Sequence, residues 1–124
     1  MIIGIGTDIL ETVRIVKAQQ RWGRRFRNKI LTPYEIEQME RNADPIRFLA
    51  RRFCAKEAVS KALGTGMKSG VSFPQIEVRH DIRGAPLVVL GDRALEIYEE
   101  KAAKGLQLSI SDEKTFTLAF AVLY

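Results

Sequence analysis

Between Pro45 and Gly64 the chain reads as one helix with an apolar face on each side, and this constrains everything around it. At 3.6 residues per turn, Ile46, Leu49, Ala50 and Phe53 share one face, while Phe48, Ala55, Val59, Ala62 and Leu63 share the other. A helix that is apolar on two sides must be enclosed, so the remaining elements have to pack around it. Asp44 suits the N-cap. Pro45 suits the first helical position, where its missing N–H costs nothing, and Gly64 suits a C-terminal cap. Continued along the first face, the next positions are Glu57, Ser60, Lys61 and Gly64. A carboxylate and an ammonium thus emerge where a core stripe was heading, and charges rarely sit there unless paired or bound to something. Glu57 and Lys61 are four residues apart, so an intrahelical ion pair is the plain alternative.

The other elements follow from turn chemistry and periodicity. Ile2 to Ile5 is a short β-like run, and Gly4 and Gly6 permit something to approach the backbone closely. Thr7 or Asp8 can cap a helix predicted from about Ile9 to Phe26, weakened at Gly23, with Ile15, Trp22 and Phe26 facing the core. Thr32, Pro33 and Glu35 form a capping box for a helix to about Arg41. Gly64 to Gly70 is a glycine-rich loop at the rim of any site built on Lys61. Strands are expected at Gln75–Arg79 and Leu87–Leu90. Asp92 can cap a helix from Arg93 to Lys104, with Leu95, Tyr98 and Ala102 as its apolar positions. The last two strands, Leu106–Ser111 and Phe116–Val122, alternate in polarity or size and are expected to pair as an antiparallel hairpin. The fold class is α+β, a mainly antiparallel sheet packed against the long central helix, in a single domain over residues 1–124.

Charge narrows the partners. The net charge is +5, which favours an anionic partner. Arg14, Lys17, Arg21, Arg24 and Arg25 lie together on the helix predicted at Ile9–Phe26. No acid occurs between Thr12 and Tyr34 to relieve their repulsion. A docking surface for an acidic partner accounts for that cost. A nucleic-acid-binding module is the competing reading, but Trp22 and Phe26 fall on the side away from the cations and Glu57 and Lys61 are left unexplained. The single Cys54 is a small core residue and excludes an internal disulfide. No apolar run spans a membrane and no signal peptide is evident, so a cytoplasmic protein is expected, without a membrane or nucleic-acid partner. His80, the lone histidine, has no Cys to complete a zinc site or a Cys–His pair.

The richest constellation is Asp8, Glu57 and Lys61. Two carboxylates are hard oxygen ligands suited to Mg²⁺, with waters and a phosphate completing the shell, and Lys61 beside them would neutralise a phosphate oxygen. Metal and cation together suit phosphoryl-type transfer, provided that the two distant acids meet.

Three stretches carry a resemblance: Gly4-x-Gly6-Thr7-Asp8-Ile9, Arg52-Phe53-x-Ala55-Lys56-Glu57-Ala58-x-x-Lys61-Ala62, and Ser109-Ile110-Ser111 before a final strand, with Gly84-x-Pro86 between them. Over essentially its whole length the chain resembles the holo-(acyl-carrier-protein) synthases, the small phosphopantetheinyl transferases of fatty-acid biosynthesis. The resemblance implies a 4′-phosphopantetheinyl transferase-like fold. The implied reaction moves 4′-phosphopantetheine from coenzyme A to a serine of an acyl carrier protein and releases adenosine 3′,5′-bisphosphate. It also implies Asp8 and Glu57 as Mg²⁺ ligands, Glu57 and Lys61 as catalytic residues, and Arg52, Lys61 and Gly64 as coenzyme A contacts. Arg14, Arg21, Arg24 and Arg25 would dock the acidic carrier, and a homotrimer would place sites between subunits. Many relatives carry His after Ser-x-Ser where this chain has Asp112, so no role of that His transfers. A transferase for carrier domains of secondary metabolism is disfavoured by the short chain, because those enzymes are usually a fused pair of such halves.

Overall fold

The computed structural model describes residues 1–124. In chain order the elements are β1 (Gly4–Glu11), α1 (Thr12–Trp22), α2 (Arg24–Ile30), α3 (Pro33–Glu40), α4 (Pro45–Ala62), a 3-10 turn (Phe73–Gln75), β2 (Ile76–His80), β3 (Pro86–Leu90), α5 (Asp92–Glu100), β4 (Leu106–Asp112) and β5 (Phe116–Leu123). All pairings are antiparallel. A three-stranded sheet runs in the order β1-β5-β4 and a separate pair joins β2 to β3. The expected α+β architecture and the β4–β5 hairpin are therefore both present.

Helix α4 is enclosed as its two apolar faces require. Leu49, Ala50, Cys54, Ala55, Ala58 and Val59 have no exposed surface, and Phe48, Ala62 and Leu63 are also buried. The sheet lies directly on this helix because its inner face is built from small residues. Gly6 sits opposite Ala121, and Asp8 opposite Ala119. A Cβ at Gly6 would collide with the carbonyl oxygen of Ala58, and one at Gly4 with that of Ala62. What approaches the glycine backbone is thus the central helix itself.

Both caps read around α3 and α4 are present. Thr32 Oγ1 accepts from Glu35 N while Glu35 Oε1 accepts from Thr32 N, and Asp44 Oδ1 accepts from Arg47 N. Behind α3, the carboxylate of Glu35 is buried and does more than cap. Its Oε1 accepts from Lys56 Nζ at 2.6 Å and its Oε2 from Val78 N at 2.8 Å, so one acid ties α3, α4 and β2 together. Burial lowers the pKa of Lys56, and the neighbouring Glu35 charge acts against that shift.

Several expectations are corrected. The first strand does not stop at Ile5; it continues to Glu11 because β5 offers eight residues to pair with. Asp8 therefore lies within a strand, and neither Thr7 nor Asp8 caps a helix. The N-cap of α1 is Glu11, whose side chain makes no capping bond. The single helix expected to Phe26 is two helices, broken at Gly23, which adopts φ 56° and ψ −133°. Trp22 is 49% exposed instead of buried, whereas Ile15 is in the core and Phe26 packs partly against it. Asp92 does not cap α5 but opens it, after Gly91, and the helix ends at Glu100. Its core-facing residues are Ala94 and Ile97, with Tyr98 half-buried, while Leu95 and Ala102 are exposed. In β5 the buried side chains are Thr117, Ala119, Ala121 and Leu123, and the large Phe116, Leu118 and Phe120 point outward.

Candidate active site

The tight seam between β1 and α4 brings the two distant acids together. Packing Gly6 against Ala58, Lys61 and Ala62 sets the next inward residue of β1, Asp8, beside the C-terminal half of α4. Lys61 reaches across the seam. Its Nζ donates to the backbone oxygen of Thr7 at 2.8 Å and to Asp8 Oδ1 at 3.1 Å. Glu57, one turn earlier on α4 and half-buried, senses the same acid. Burial first, and then the Asp8 charge, hold its carboxyl above the ordinary range, against the opposing pull of Lys61. The Glu57 backbone carbonyl is occupied by Ser60 Oγ at 2.7 Å. Beneath the pair, Cys54 donates to the backbone oxygen of Asp8 at 3.2 Å, and burial together with the Asp8 charge pushes its thiol up to about 12. It is a structural thiol with no thiolate character at neutral pH.

This donor set fits a divalent ion. Asp8 and Glu57 lie close enough on the two sides of the seam for the Asp8 charge to add to burial in raising the Glu57 carboxyl, with Lys61 acting against both. No group of three or more His, Cys, Asp or Glu side chains is placed to hold a metal. An all-protein cage is thus absent, while Mg²⁺ characteristically takes one or two carboxylates and completes its octahedron with water and substrate phosphate.

The other sequence-predicted residues have separate places. Gly64 follows the cluster with φ 88°, a conformation that favours glycine, and its N–H is donated to Lys61 O. The N–H groups of Thr65 and Gly66 both return to Ser60 O, so the start of this loop caps α4. Arg52 is not brought to the cluster. It is buried on another side of α4, with its guanidinium over the Phe48 ring at 4.4 Å, 3.2 Å from His80 Nδ1 and 3.9 Å from Glu35. Burial lowers its pKa to about 10, with Glu35 acting against the shift. Asp112 closes the β4–β5 turn onto α4 through Arg51 at 3.2 Å and Arg47 at 3.7 Å.

Arg14, Arg21, Arg24 and Arg25 are all exposed, and none has an acid within ion-pair distance. The break at Gly23 creates beside them what the sequence reading missed: a groove of about 560 Å³ lined by Trp22, Phe26, Phe53 and Phe73, with Arg25 and Lys29 among its walls. The aromatic spacing carries the signal, but from sequence Trp22 and Phe26 read equally well as core residues.

The profile of the 4′-phosphopantetheinyl transferase superfamily matches residues 4–121, and the chain belongs to that family. Within it, the chain is similar to holo-(acyl-carrier-protein) synthases. It is 46% identical over 123 residues to that of Vibrio cholerae, covering 99% of this chain and 98% of the relative. The synthase structure from Neisseria meningitidis superimposes with a TM-score of 0.93 at 42% identity, covering 100% and 99% of the two chains. That from Bacillus anthracis, in complex with CoA (3′,5′-ADP), gives 0.82 at 40% identity, covering 99% and 96%.

Proposed function

We propose that the seam between β1 and α4 is where this enzyme transfers 4′-phosphopantetheine from coenzyme A to a serine of an apo acyl carrier protein. The observation that carries the assignment is the Lys61–Asp8 contact at 3.1 Å beside Glu57. The serine oxygen attacks the β-phosphorus of coenzyme A, the bond to the bridging oxygen breaks, and adenosine 3′,5′-bisphosphate leaves. Lys61 would bring a cation to where charge grows on the phosphoryl oxygens, and charge stabilisation of this kind lowers most of the barrier in such transfers. Glu57 and Asp8 would hold Mg²⁺, which when bound supplies a Lewis acid for the pyrophosphate. Glu57 would also steer the incoming hydroxyl through a water. Lys61 would take the coenzyme A phosphates beside Gly64, whose own N–H is bonded to Lys61 O and which contributes an open backbone surface; Arg52 would have to leave His80 to join them. Arg14, Arg21, Arg24 and Arg25 dock the acidic carrier electrostatically, and the aromatic groove receives its apolar side chains.

The same reading takes residues 1–124 as one catalytic domain, cytoplasmic, acting in fatty-acid biosynthesis as a homotrimer without nucleic acid or membrane. No helix is long and apolar enough to cross a membrane.

Mass spectrometry of an apo carrier incubated with coenzyme A, with and without Mg²⁺, tests the assignment. Glu57→Gln removes the charge and keeps the volume. It should lower the metal-dependent gain of one phosphopantetheine by roughly 100-fold or more while the fold persists. Near-normal transfer by that variant would remove Glu57 from the site.

A further inference from the structure

We propose that Lys61 has a second task, resting on the metal reading above: in the substrate-free enzyme it serves as the counterion of Asp8 and opposes divalent-ion binding until a phosphate draws it away. Asp8 is enclosed, its side chain 17% exposed, and Lys61 Nζ is the one side-chain donor to its carboxylate. The ammonium itself lies at the solvent edge, on a side chain 48% exposed, with a flexible four-carbon stem that can swing to a new anion. The seam therefore has one cation for two purposes. If Lys61 turns to a pyrophosphate oxygen, Asp8 and Glu57 are left as two partly enclosed acids with no positive neighbour, which is unfavourable. If a divalent ion comes first, it must displace an ammonium that already makes two hydrogen bonds. Only when both arrive is every charge matched. Metal and coenzyme A consequently favour each other's binding, and linkage requires that this coupling be reciprocal. The exchange also explains how one small site avoids keeping a lysine and a divalent ion in mutual repulsion at rest.

Titration of the whole protein with Mn²⁺, read by the loss of the free-ion paramagnetic resonance signal and checked by Mg²⁺ competition, tests this without turnover. In the absence of coenzyme A, Lys61→Met should bind Mn²⁺ more tightly than wild type by roughly two- to fivefold, the upper part of the range expected for removing one partly exposed counterion. Adding coenzyme A should then tighten Mn²⁺ binding by a larger factor in wild type than in the variant. The half-exposed position of Lys61 tolerates an uncharged side chain, and Lys61→Gln serves as a second variant with the same expectation. Equal or weaker Mn²⁺ binding by both variants, or an identical effect of coenzyme A on all three proteins, would overturn the counterion role alone. Absence of Mn²⁺ binding to wild type even with saturating coenzyme A would instead overturn the metal reading on which it rests.

Discussion

At the scale of single residues, Gly6 decides whether the acids meet. Its α-carbon lies so close to α4 that a methyl group would occupy the space of the Ala58 carbonyl oxygen, with Ala62 N and Lys61 Cβ next in line. The first two are backbone atoms of the central helix, and the third is fixed directly to that backbone, so none can turn aside. Gly6→Ala should therefore destabilise the protein by about 2–3 kcal/mol, the usual scale of core overpacking, measured by urea denaturation. It should also lower transfer by roughly 100-fold, because the strand carrying Asp8 must shift away from Glu57. A variant with unchanged turnover would show that the close approach does not position the acid. The sequence reading recognised Gly4 and Gly6 as points of close approach, and Glu57 and Lys61 as charges out of place on a core-directed stripe. It could not tell that the approaching body is the helix bearing those charges, since such a contact is made between residues more than fifty apart. Glu35 is similar. Its capping box is local and was legible, but its bonds to Lys56 and Val78 exist only once α3, α4 and β2 have assembled.

At the scale of elements, the legible parts were those with local causes: the caps of α3 and α4, the glycine end of α4, and the β4–β5 hairpin. The first thirty residues depart from their sequence pattern for two physical reasons. Strand pairing with β5 extends β1 by six residues beyond Ile5, overriding a helical pattern that begins at Ile9. The conformation of Gly23 then turns the chain, so that α1 and α2 form two sides of an aromatic groove instead of one continuous rod. The cationic residues, by contrast, are as exposed as their single sign requires. An acidic helix carrying some apolar side chains would find both kinds of contact within this one region. Reversing Arg14 and Arg21 together to Glu should raise KM for the carrier by roughly tenfold or more while KM for coenzyme A stays near wild type, measured in steady-state transfer at low salt. Added salt should weaken wild-type carrier binding and leave the reversed variant less affected. Parallel loss for both substrates would place these arginines elsewhere in the mechanism.

At the scale of the whole molecule, the three-stranded sheet presents an unusual outer surface. Ile5, Ile9, Phe116, Leu118 and Phe120 are all exposed on it, in register across β1 and β5, and Ser109 and Ser111 lie on the same side along β4. Alternation in β5 was legible as a strand but not as a direction. Both of its faces are largely apolar, and the ordinary assumption is that larger side chains go inside. Here the inner face must be small so that α4 can lie on the sheet, and the large residues are left outside. A contiguous apolar sheet face of this kind is a liability for an isolated chain and the expected surface of a subunit contact. Further copies of the same chain meeting there would cover these side chains and bring the Ser109–Ser111 strand of one subunit near a neighbour, which is how the proposed homotrimer would form. Leu118→Glu places a charge at the middle of that face without touching the seam of Asp8, Glu57 and Lys61. The variant should sediment as a monomer where wild type sediments as a trimer, and its transfer rate should fall with the loss of assembly. If wild type itself sediments as a monomer at micromolar concentration, the sheet face is covered by some other partner and the trimer must be given up.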